Sequence, residues 1–273
     1  MELDSPAVLN AVQSLALHAL PAFCVALAAV IAAVCGLWVL GLRYGVHQDT
    51  SRFAPLAYLL GYLALGFGLI IGGASLFAEI AENLGDGRKL GQLDLLFSDT
   101  IRSTISLGAL RVFALLTHLG DTLTLTSLCI AGTLLLLWKR QRGLCLGWVL
   151  AFVGNAVLNR TLKSIFERAR PLHEHGLAFA DGWSFPSGHA SGSVVAYGML
   201  AYVLVRLLPA RFAPAHLPVV ALAAALAFTV GSSRVFLQVH FASDVLAGFA
   251  SGAAWLAVCI GALELRRYRR RQP

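Results

Sequence analysis

Residues 215–263 read AHLPVVALAAALAFTVGSSRVFLQVHFASDVLAGFASGAAWLAVCIGAL. Two apolar runs, 215–232 and 241–263, meet at a group of polar residues, which are Ser233, Arg234, His240 and Asp244. Each run is long enough to cross a bilayer as a helix, which takes roughly 17–25 residues. Ionisable side chains are costly in such a setting and are functional candidates by default. The stretch therefore predicts two membrane helices with a functional site at the turn between them.

The whole chain has the composition of a membrane protein. Of its 273 residues, 58% are hydrophobic and 13% are charged, whereas a soluble domain carries roughly a quarter charged residues. Apolar runs of spanning or nearly spanning length cover about 19–42, 54–80, 121–138, 144–161, 190–208, 215–232 and 241–263. We therefore predict an all-α fold, a polytopic transmembrane bundle of about six to seven helices.

The segment 85–120 differs from these runs. Charged residues such as Asp94 and Arg102 alternate there with Leu, Ile and Phe at helical spacing. This pattern predicts one or two amphipathic helices lying on the membrane surface or over the bundle. An unordered loop is the alternative.

Basic residues predict the orientation. They form four groups, of which three lie in the loops between apolar runs and the fourth lies in the C-terminal tail. The groups are Arg43 and Arg52; Lys139, Arg140 and Arg142; Arg206 and Arg211; and the arginines from Arg266 to Arg271. If seven helices alternate, all four groups lie on one face, which the positive-inside rule assigns to the cytoplasm. The net charge of +7 is thus a topology signal, and we expect no nucleic acid partner.

Two polar clusters precede the one quoted above. The first contains Lys163 and Arg170-Pro171, whose two cations are spaced by two helical turns. Pro171 disfavours helix at the residue before it, so we expect Arg170 to close the turn at the helix end. The second is Pro186-Ser187-Gly188-His189. Ser187 can cap the next helix, and free N–H groups at a helix start bind anions. Taken alone, either cluster could equally be structural, as snorkelling cations or an ordinary cap.

The third cluster is Ser233-Arg234 with His240 and Asp244. At a spacing of four residues, His240 and Asp244 would be neighbours on one helix face. A carboxylate bonded to one imidazole nitrogen fixes the tautomer and leaves the other nitrogen free as a nucleophile. A purely structural pair is the alternative, and Arg234 at the same depth makes it less attractive. The alternating topology places all three clusters on the outer face.

Together, the order Lys-x6-Arg-Pro, Pro-Ser-Gly-His, Ser-Arg-x5-His-x3-Asp resembles the type 2 phosphatidic acid phosphatase (PAP2) superfamily. The resemblance covers about residues 121–263. It implies a division into an N-terminal transmembrane hairpin extension (1–84), the amphipathic outer-face segment (85–120), a PAP2 catalytic core (121–263) and a basic cytoplasmic tail (264–273).

The resemblance also implies roles for the clusters. His240 would be the nucleophile that forms a phosphohistidine, Asp244 would orient it, and His189 would protonate the leaving oxygen and then activate water. The phosphoryl oxygens would be held by Lys163, Arg170, Ser187, the Gly188 N–H and Arg234. The cations would do what Mg²⁺ does in other phosphoryl transfers, so we expect no metal and no cofactor.

By the same resemblance, the expected substrates are a phospholipid or polyprenyl phosphate. They include undecaprenyl diphosphate, phosphatidylglycerophosphate, phosphatidate and a lipid A phosphate, and the motifs do not choose among them. A lipid phosphotransferase using the same phosphohistidine stays open. An anion transporter is disfavoured because the helix centres carry almost no charge. We expect a bacterial inner-membrane protein with its site facing the exterior.

Three further predictions concern residues around the motifs. Arg160, at the same helix end as Lys163, is a candidate for a lesser phosphate contact. His173 and His175 are more simply exposed loop residues. The small residues at 72–74 and 247–254 predict close helix packing.

Overall fold

The computed structural model describes residues 6–44, 54–84, 88–171 and 176–270, and within these ranges the chain is helical without a β-strand. The α-helices in these ranges are α1 (Pro6–Leu17), α2 (Ala19–Tyr44), α3 (Ala54–Glu82), α4 (Lys89–Thr104), α5 (Leu107–Thr117), α6 (Thr122–Trp138), α7 (Arg142–Phe166), α8 (Gly188–Leu207), α9 (His216–Phe236) and α10 (Ala242–Arg269). A short 3-10 turn (His118–Gly120) joins α5 to α6. The predicted all-α fold is confirmed.

Seven stretches of the described chain are long and apolar enough to cross a membrane. They contain α2, α3, α6, α7, α8, α9 and α10, so each predicted apolar run corresponds to one of these helices. Many apolar side chains face outward, and Leu134, Val157 and Leu246 are each more than half exposed. Such an outer surface suits contact with lipid.

Helix α8 lies at the centre of the bundle, packed against α7, α9 and α10. Small residues allow this close packing. A Cβ added at Gly248 would lie 2.7 Å from the Ser187 carbonyl oxygen, and one at Gly252 would lie 2.8 Å from that of Ser191. The small residues predicted to pack helices therefore bring α10 against the start of α8.

The two N-terminal spanning helices join the same bundle at different places, because α3 packs along α10 and α2 packs along α9. A Cβ added at Gly73 would meet the Ala250 carbonyl oxygen at 2.8 Å. At the end of α3, Phe77 packs against Phe166 and Phe185, with ring centroids 5.8 Å and 5.2 Å away. The end of α3 thus supports the loop that follows α7.

Helices α4 and α5 lie at the end of the bundle where α7 and α9 end and α6, α8 and α10 begin. In α5, the Phe113 ring stacks on Phe236 of α9 at 4.2 Å, and the Phe23 ring meets Phe113 edge-on at 5.4 Å. In α4, the Ser98 hydroxyl donates a hydrogen bond to the buried Gln238 side chain. These two helices agree with the helical interpretation of 85–120, and the loop alternative fails for the described part of that segment.

One local expectation was confirmed and another was wrong. Helix α7 ends at Phe166, where Glu167 adopts φ 42° in the left-handed region, so Arg170 lies outside the helix, as the proline after it predicts. His240 precedes the first residue of α10 and reaches Asp244 from a turn rather than from the same helix. The helix begins after His240, where the Asp244 carboxylate accepts a hydrogen bond from the Phe241 N–H.

Some predicted features lie outside the described residues. These are Arg52, His173, His175 and Arg271.

Candidate active site

All eight predicted site residues lie at one end of the bundle. Lys163 is in the last turn of α7, Arg170 is in the loop after it, Arg234 is in the last turn of α9, and Ser187 caps α8. Gly188 and His189 open α8, while His240 and Asp244 flank the start of α10. Residues from distant parts of the chain therefore form one composite site, as the alternating topology predicts.

His240 is held between a cation and a carboxylate. Its Nδ1 lies 3.4 Å from Asp244 Oδ2, and its Nε2 lies 3.1 Å from Arg170 Nη1. Because the guanidinium can only donate, Nε2 is the accepting nitrogen and the proton of the neutral ring is on Nδ1, facing Asp244. Complete burial lowers the pKa of His240 to about 3, against a smaller opposing effect of Asp244. The ring is therefore neutral at pH 7, with the Nε2 lone pair directed toward the cations.

Asp244 is fully buried and fixed on three sides. Its Oδ2 accepts a hydrogen bond of 2.9 Å from the Phe241 N–H, and its Oδ1 accepts one of 2.6 Å from Arg168 Nη1. Its carbonyl oxygen accepts a 2.9 Å hydrogen bond from the Ser187 N–H. This last bond joins the third cluster directly to the second.

Arg168 has a larger role than its sequence position suggests. Its Nη1 also donates to Ser243 Oγ at 2.7 Å, and its Nη2 donates to Asp94 Oδ2 at 2.8 Å. Asp94 also accepts hydrogen bonds from the hydroxyl and N–H of Ser243. Burial raises the pKa of Asp94, and the hydrogen bonds from Ser243 and Arg168 oppose that rise. One guanidinium thus ties α4 to the carboxylate behind His240.

The cations of the first cluster are held by the carbonyl oxygens of residues 181–184. Arg170 donates from Nε to the Gly182 oxygen at 2.9 Å and from Nη2 to the Asp181 oxygen at 2.9 Å. Lys163 Nζ donates to the carbonyl oxygens of Trp183 and Ser184. Burial lowers the pKa of Arg170. The loop therefore concentrates positive charge next to His240.

Arg234 supplies a third cation from α9. It is only 2% exposed, and its Nη1 donates a 2.8 Å hydrogen bond to the Thr117 hydroxyl at the end of α5. Its Nε is buried and has no hydrogen-bond partner among the described residues. An unpaired buried donor is costly, so this N–H is available to an anion.

Ser187 and Gly188 shape the start of α8. The Ser187 hydroxyl accepts a hydrogen bond from the Ala190 N–H at 3.4 Å, as predicted for an N-cap. The Ser187 N–H bonds the Asp244 carbonyl oxygen. The N–H groups of Gly188 and His189, at the start of α8, have no partner within the helix and are available to a ligand. A Cβ at position 188 would approach Asn159 Oδ1 to 3.1 Å, so glycine fits there without displacing that side chain.

His189 has an acidic partner. Its Nε2 lies 3.0 Å from Asp121 Oδ1, and the other oxygen, Oδ2, lies 2.7 Å from His118 Nδ1. Gly120 makes this approach possible, because a Cβ there would lie 2.9 Å from His189 Cδ2. Asp121 thereby fixes the ring and directs His189 Nδ1 away from itself.

Four of these partners, Asp94, Thr117, Asp121 and Arg168, were missed by sequence reasoning. Asp121 carried the clearest signal, because an acidic residue directly before an apolar run is typical of a helix start. Arg168 occupies an unspecified position of the Lys-x6-Arg-Pro motif, where nothing in the sequence distinguishes it from an ordinary loop charge. Nothing in the local sequence pairs Asp94 with residues 74 or more positions away.

A cavity of about 490 Å³ opens beside the site between α6, α7 and α8. His189, Gly188 and Lys163 line it at the site, whereas Cys129 and Phe152 line it farther along α6 and α7. The cavity thus leads from the polar site into the part of the bundle that crosses the membrane.

Comparison with known proteins yields concordant matches. The model of the PAP2 superfamily matches residues 142–268. Phosphatidylglycerophosphatase B of Bacillus subtilis (strain 168) is 35% identical over 158 residues, which cover 57% of this chain and 76% of that protein. The crystal structure of a transmembrane PAP2 type phosphatidylglycerolphosphate phosphatase from Bacillus subtilis superposes with a TM-score of 0.68 at 27% identity, covering 76% of this chain and all of that one. With its apolar helices and its three motifs, the chain is an integral membrane protein that belongs to the PAP2 superfamily.

Proposed function

We propose that this membrane phosphatase hydrolyses a lipid phosphate through a phosphohistidine at His240. The observation that carries the proposal is the convergence of a neutral, carboxylate-backed imidazole with three cations. Arg170 Nη1 lies 3.1 Å from His240 Nε2, so an anion drawn to this guanidinium comes within reach of the nucleophilic nitrogen. Binding of the phosphate would displace the guanidinium from Nε2 to the phosphoryl oxygens.

In the first step, His240 Nε2 forms a bond to phosphorus while the ester oxygen leaves. Asp244 accepts the Nδ1 proton in a hydrogen bond and stabilises the imidazolium. Lys163, Arg170, Arg234 and the Gly188 N–H stabilise the charge on the phosphoryl oxygens, with Ser187 shaping the helix start. His189 enters this step as an imidazolium with Asp121 at Nε2, donates its Nδ1 proton to the leaving oxygen and becomes neutral, and the product alcohol is released.

In the second step, His189 accepts a proton from water, which attacks the phosphohistidine. Inorganic phosphate leaves and His240 returns to its neutral state. The cations occupy the positions where a metal ion would act, and in the described ranges no three His, Cys, Asp or Glu side chains are grouped as metal ligands. We infer that the reaction needs no metal ion.

We infer that the substrate is of the phosphatidylglycerophosphate type. The similar sequence and the similar crystal structure, both from Bacillus subtilis, carry that activity in their names, and the cavity can admit part of a lipid. The site would face the outer side of a bacterial inner membrane, because the basic residues Lys139, Arg140 and Arg142 lie at the opposite end of α6 and α7. The tail after α10 would then be cytoplasmic.

The test is phosphate release by purified protein in detergent. Phosphatidylglycerophosphate, phosphatidate, undecaprenyl diphosphate and a lipid A phosphate are assayed side by side, with and without EDTA. We expect the highest kcat/KM on phosphatidylglycerophosphate, no loss with EDTA, and a loss of at least about 10³-fold in His240→Gln, because the nucleophile is gone. Activity of that variant near the wild-type rate contradicts the phosphohistidine, and dependence on Mg²⁺ contradicts the metal-free site.

A further inference from the structure

Arg160 is a cation to which the proposed mechanism gives no role. It lies on α7, is exposed, and lines the cavity beside the site. In the part of the chain that the structure describes, its guanidinium has no hydrogen-bond or ion-pair partner. Lys163, Arg168, Arg170 and Arg234 in contrast all bond to protein groups.

The position of Arg160 relative to Lys163 is informative. It precedes Lys163 by three residues, which places it about 4.5 Å farther along the axis of α7, away from the phosphate-binding end. The separation is close to one helical turn. A group bound at Arg160 would therefore be a near neighbour of the phosphate that is cleaved, and would lie on the side of the lipid tail.

The cavity wall around Arg160 is also polar. Asn155 and Asn159, spaced four residues apart on α7, line the cavity together with Lys163. Asn155 is only 7% exposed, and its Oδ1 is buried without a hydrogen-bond partner among the described residues. A buried amide oxygen without a donor is costly, so this oxygen is available to a hydroxyl of a ligand. Beyond the amides the wall becomes apolar, with Leu125 and Phe152.

The cavity wall changes from cationic to polar to apolar along α7. From this order we propose that the cavity binds a second phosphate of the substrate, and that Arg160 is its counter-charge. The substrate class is then a lipid with a phosphodiester between the cleaved phosphate and the tails, joined by a short hydroxylated linker. Phosphatidylglycerophosphate has this chemistry, and phosphatidate does not. The inference rests on the proposed function and deepens it, because it explains how the site selects among lipid phosphates.

Two other roles for Arg160 make different predictions. If it snorkels to lipid headgroups in general, its removal changes little in detergent. If it belongs to the cradle of the cleaved phosphate, its removal weakens the binding of every phosphate ligand equally.

The experiment compares wild type, Arg160→Gln and Arg160→Lys in detergent. Three quantities are measured: kcat/KM for phosphatidylglycerophosphate, the inhibition constant of phosphatidate with matched acyl chains, and the inhibition constant of orthovanadate. Vanadate mimics the transition state at the cleaved phosphate alone. For Arg160→Gln we expect a fall of about 10- to 100-fold in kcat/KM, as for loss of a charge-assisted hydrogen bond. Both inhibition constants should stay within about threefold, and Arg160→Lys should recover much of the loss.

Arg142→Gln is the matched control, because Arg142 is the exposed first residue at the other end of the same helix. It should leave all three quantities unchanged. Parallel increases in both inhibition constants in Arg160→Gln would overturn the inference by placing Arg160 in the catalytic cradle. An unchanged kcat/KM for phosphatidylglycerophosphate would overturn it too. Absence of phosphate release by the wild type would instead overturn the proposed function.

Discussion

The two histidines of the site stand in opposite environments. His240 and Asp244 are 3% and 0% exposed, and behind them lie the partly buried Arg168 and the buried Asp94. His189, Asp121 and His118 become steadily more exposed, at 21%, 37% and 68% of the side chain. The first group is a closed network that joins α4, the loop after α7 and α10. The second is an open chain of contacts between α8 and the turn before α6.

This difference fits the tasks proposed for the two histidines. A nucleophile gains from a fixed orientation and from exclusion of water, since a preorganised group needs no reorganisation during the reaction. The proton-transfer group must first reach the leaving oxygen and later a water molecule. His189 lines the cavity and is 21% exposed, and Asp121 holds one nitrogen of its ring.

Removing the cation of the closed network should have the largest effect. Arg168→Gln leaves the buried carboxylates of Asp94 and Asp244 without their shared partner. Breaking a buried ion pair in this way costs about 3–5 kcal/mol. We expect a clear fall in Tm and a loss of about 100-fold or more in kcat, because Asp244 no longer has one fixed position behind His240. Thermal unfolding and phosphate release of the purified variant measure both.

A second substitution separates charge from fold. Asp94→Asn removes one of the two buried negative charges and keeps an oxygen that can accept from Arg168. In the double variant, Arg168→Gln with Asp94→Asn, part of the lost stability should return, because fewer charges remain unpaired. If Arg168→Gln has the Tm and kcat of the wild type, His240 does not depend on the closed network. The proposed difference between the His240 and His189 environments is then contradicted.

Asp121→Asn should have a smaller effect on the open side. Asparagine keeps an oxygen near His189 Nε2 but loses the charge that stabilises its protonated ring. We expect kcat to fall about 10- to 100-fold, in the range of general acid catalysis, with little change in KM. The loss should shrink for an aryl phosphate, whose leaving oxygen needs less protonation.

His118→Gln is the control for Asp121→Asn. His118 bonds the far oxygen of Asp121 and is mostly exposed, so we expect less than a threefold change, in line with the small energies of exposed ion pairs. The rate of alcohol release in the first turnover reports the protonation step directly. An equal loss for lipid and aryl phosphates in Asp121→Asn would show that Asp121 does not act through the leaving oxygen.

The sequence predicts the spanning helices and the motif residues better than it predicts the residues that hold those motif residues in place. Apolar runs and their basic connections predict the seven spanning helices, because burial in lipid imposes a continuous apolar length. The three clusters predict the residues that come together at one end of the bundle. The partners behind them are different, since Asp94 and Asp121 come from segments whose place over the bundle depends on tertiary packing. Helix α1 was not predicted as a separate element, and the turn that replaces helical spacing at His240 depends on hydrogen bonds that no periodicity reveals.

The burial of His240 should also make the folded protein less stable as the pH falls. We expect this effect to be smaller than those of Arg168→Gln and Asp121→Asn. In the unfolded chain a histidine takes up a proton near pH 6.5, whereas in the fold the pKa of His240 is about 3. The stability due to the neutral ring is therefore complete above pH 6.5 and is lost as the pH falls toward 3. At pH 5 the loss is on the order of 2 kcal/mol, which corresponds to roughly 4–8 °C in Tm.

His240→Gln cannot take up this proton, so its Tm should fall less than that of the wild type between pH 6.5 and 5. Asp94 has a raised pKa and acts in the opposite direction, since its carboxyl binds a proton more readily in the fold, but it is present in both proteins and cancels in the comparison. Melting of the detergent-solubilised proteins at a series of pH values gives the difference. Parallel curves would mean that His240 is protonated without unfolding, and that the nucleophile side is as open to water as the His189 side.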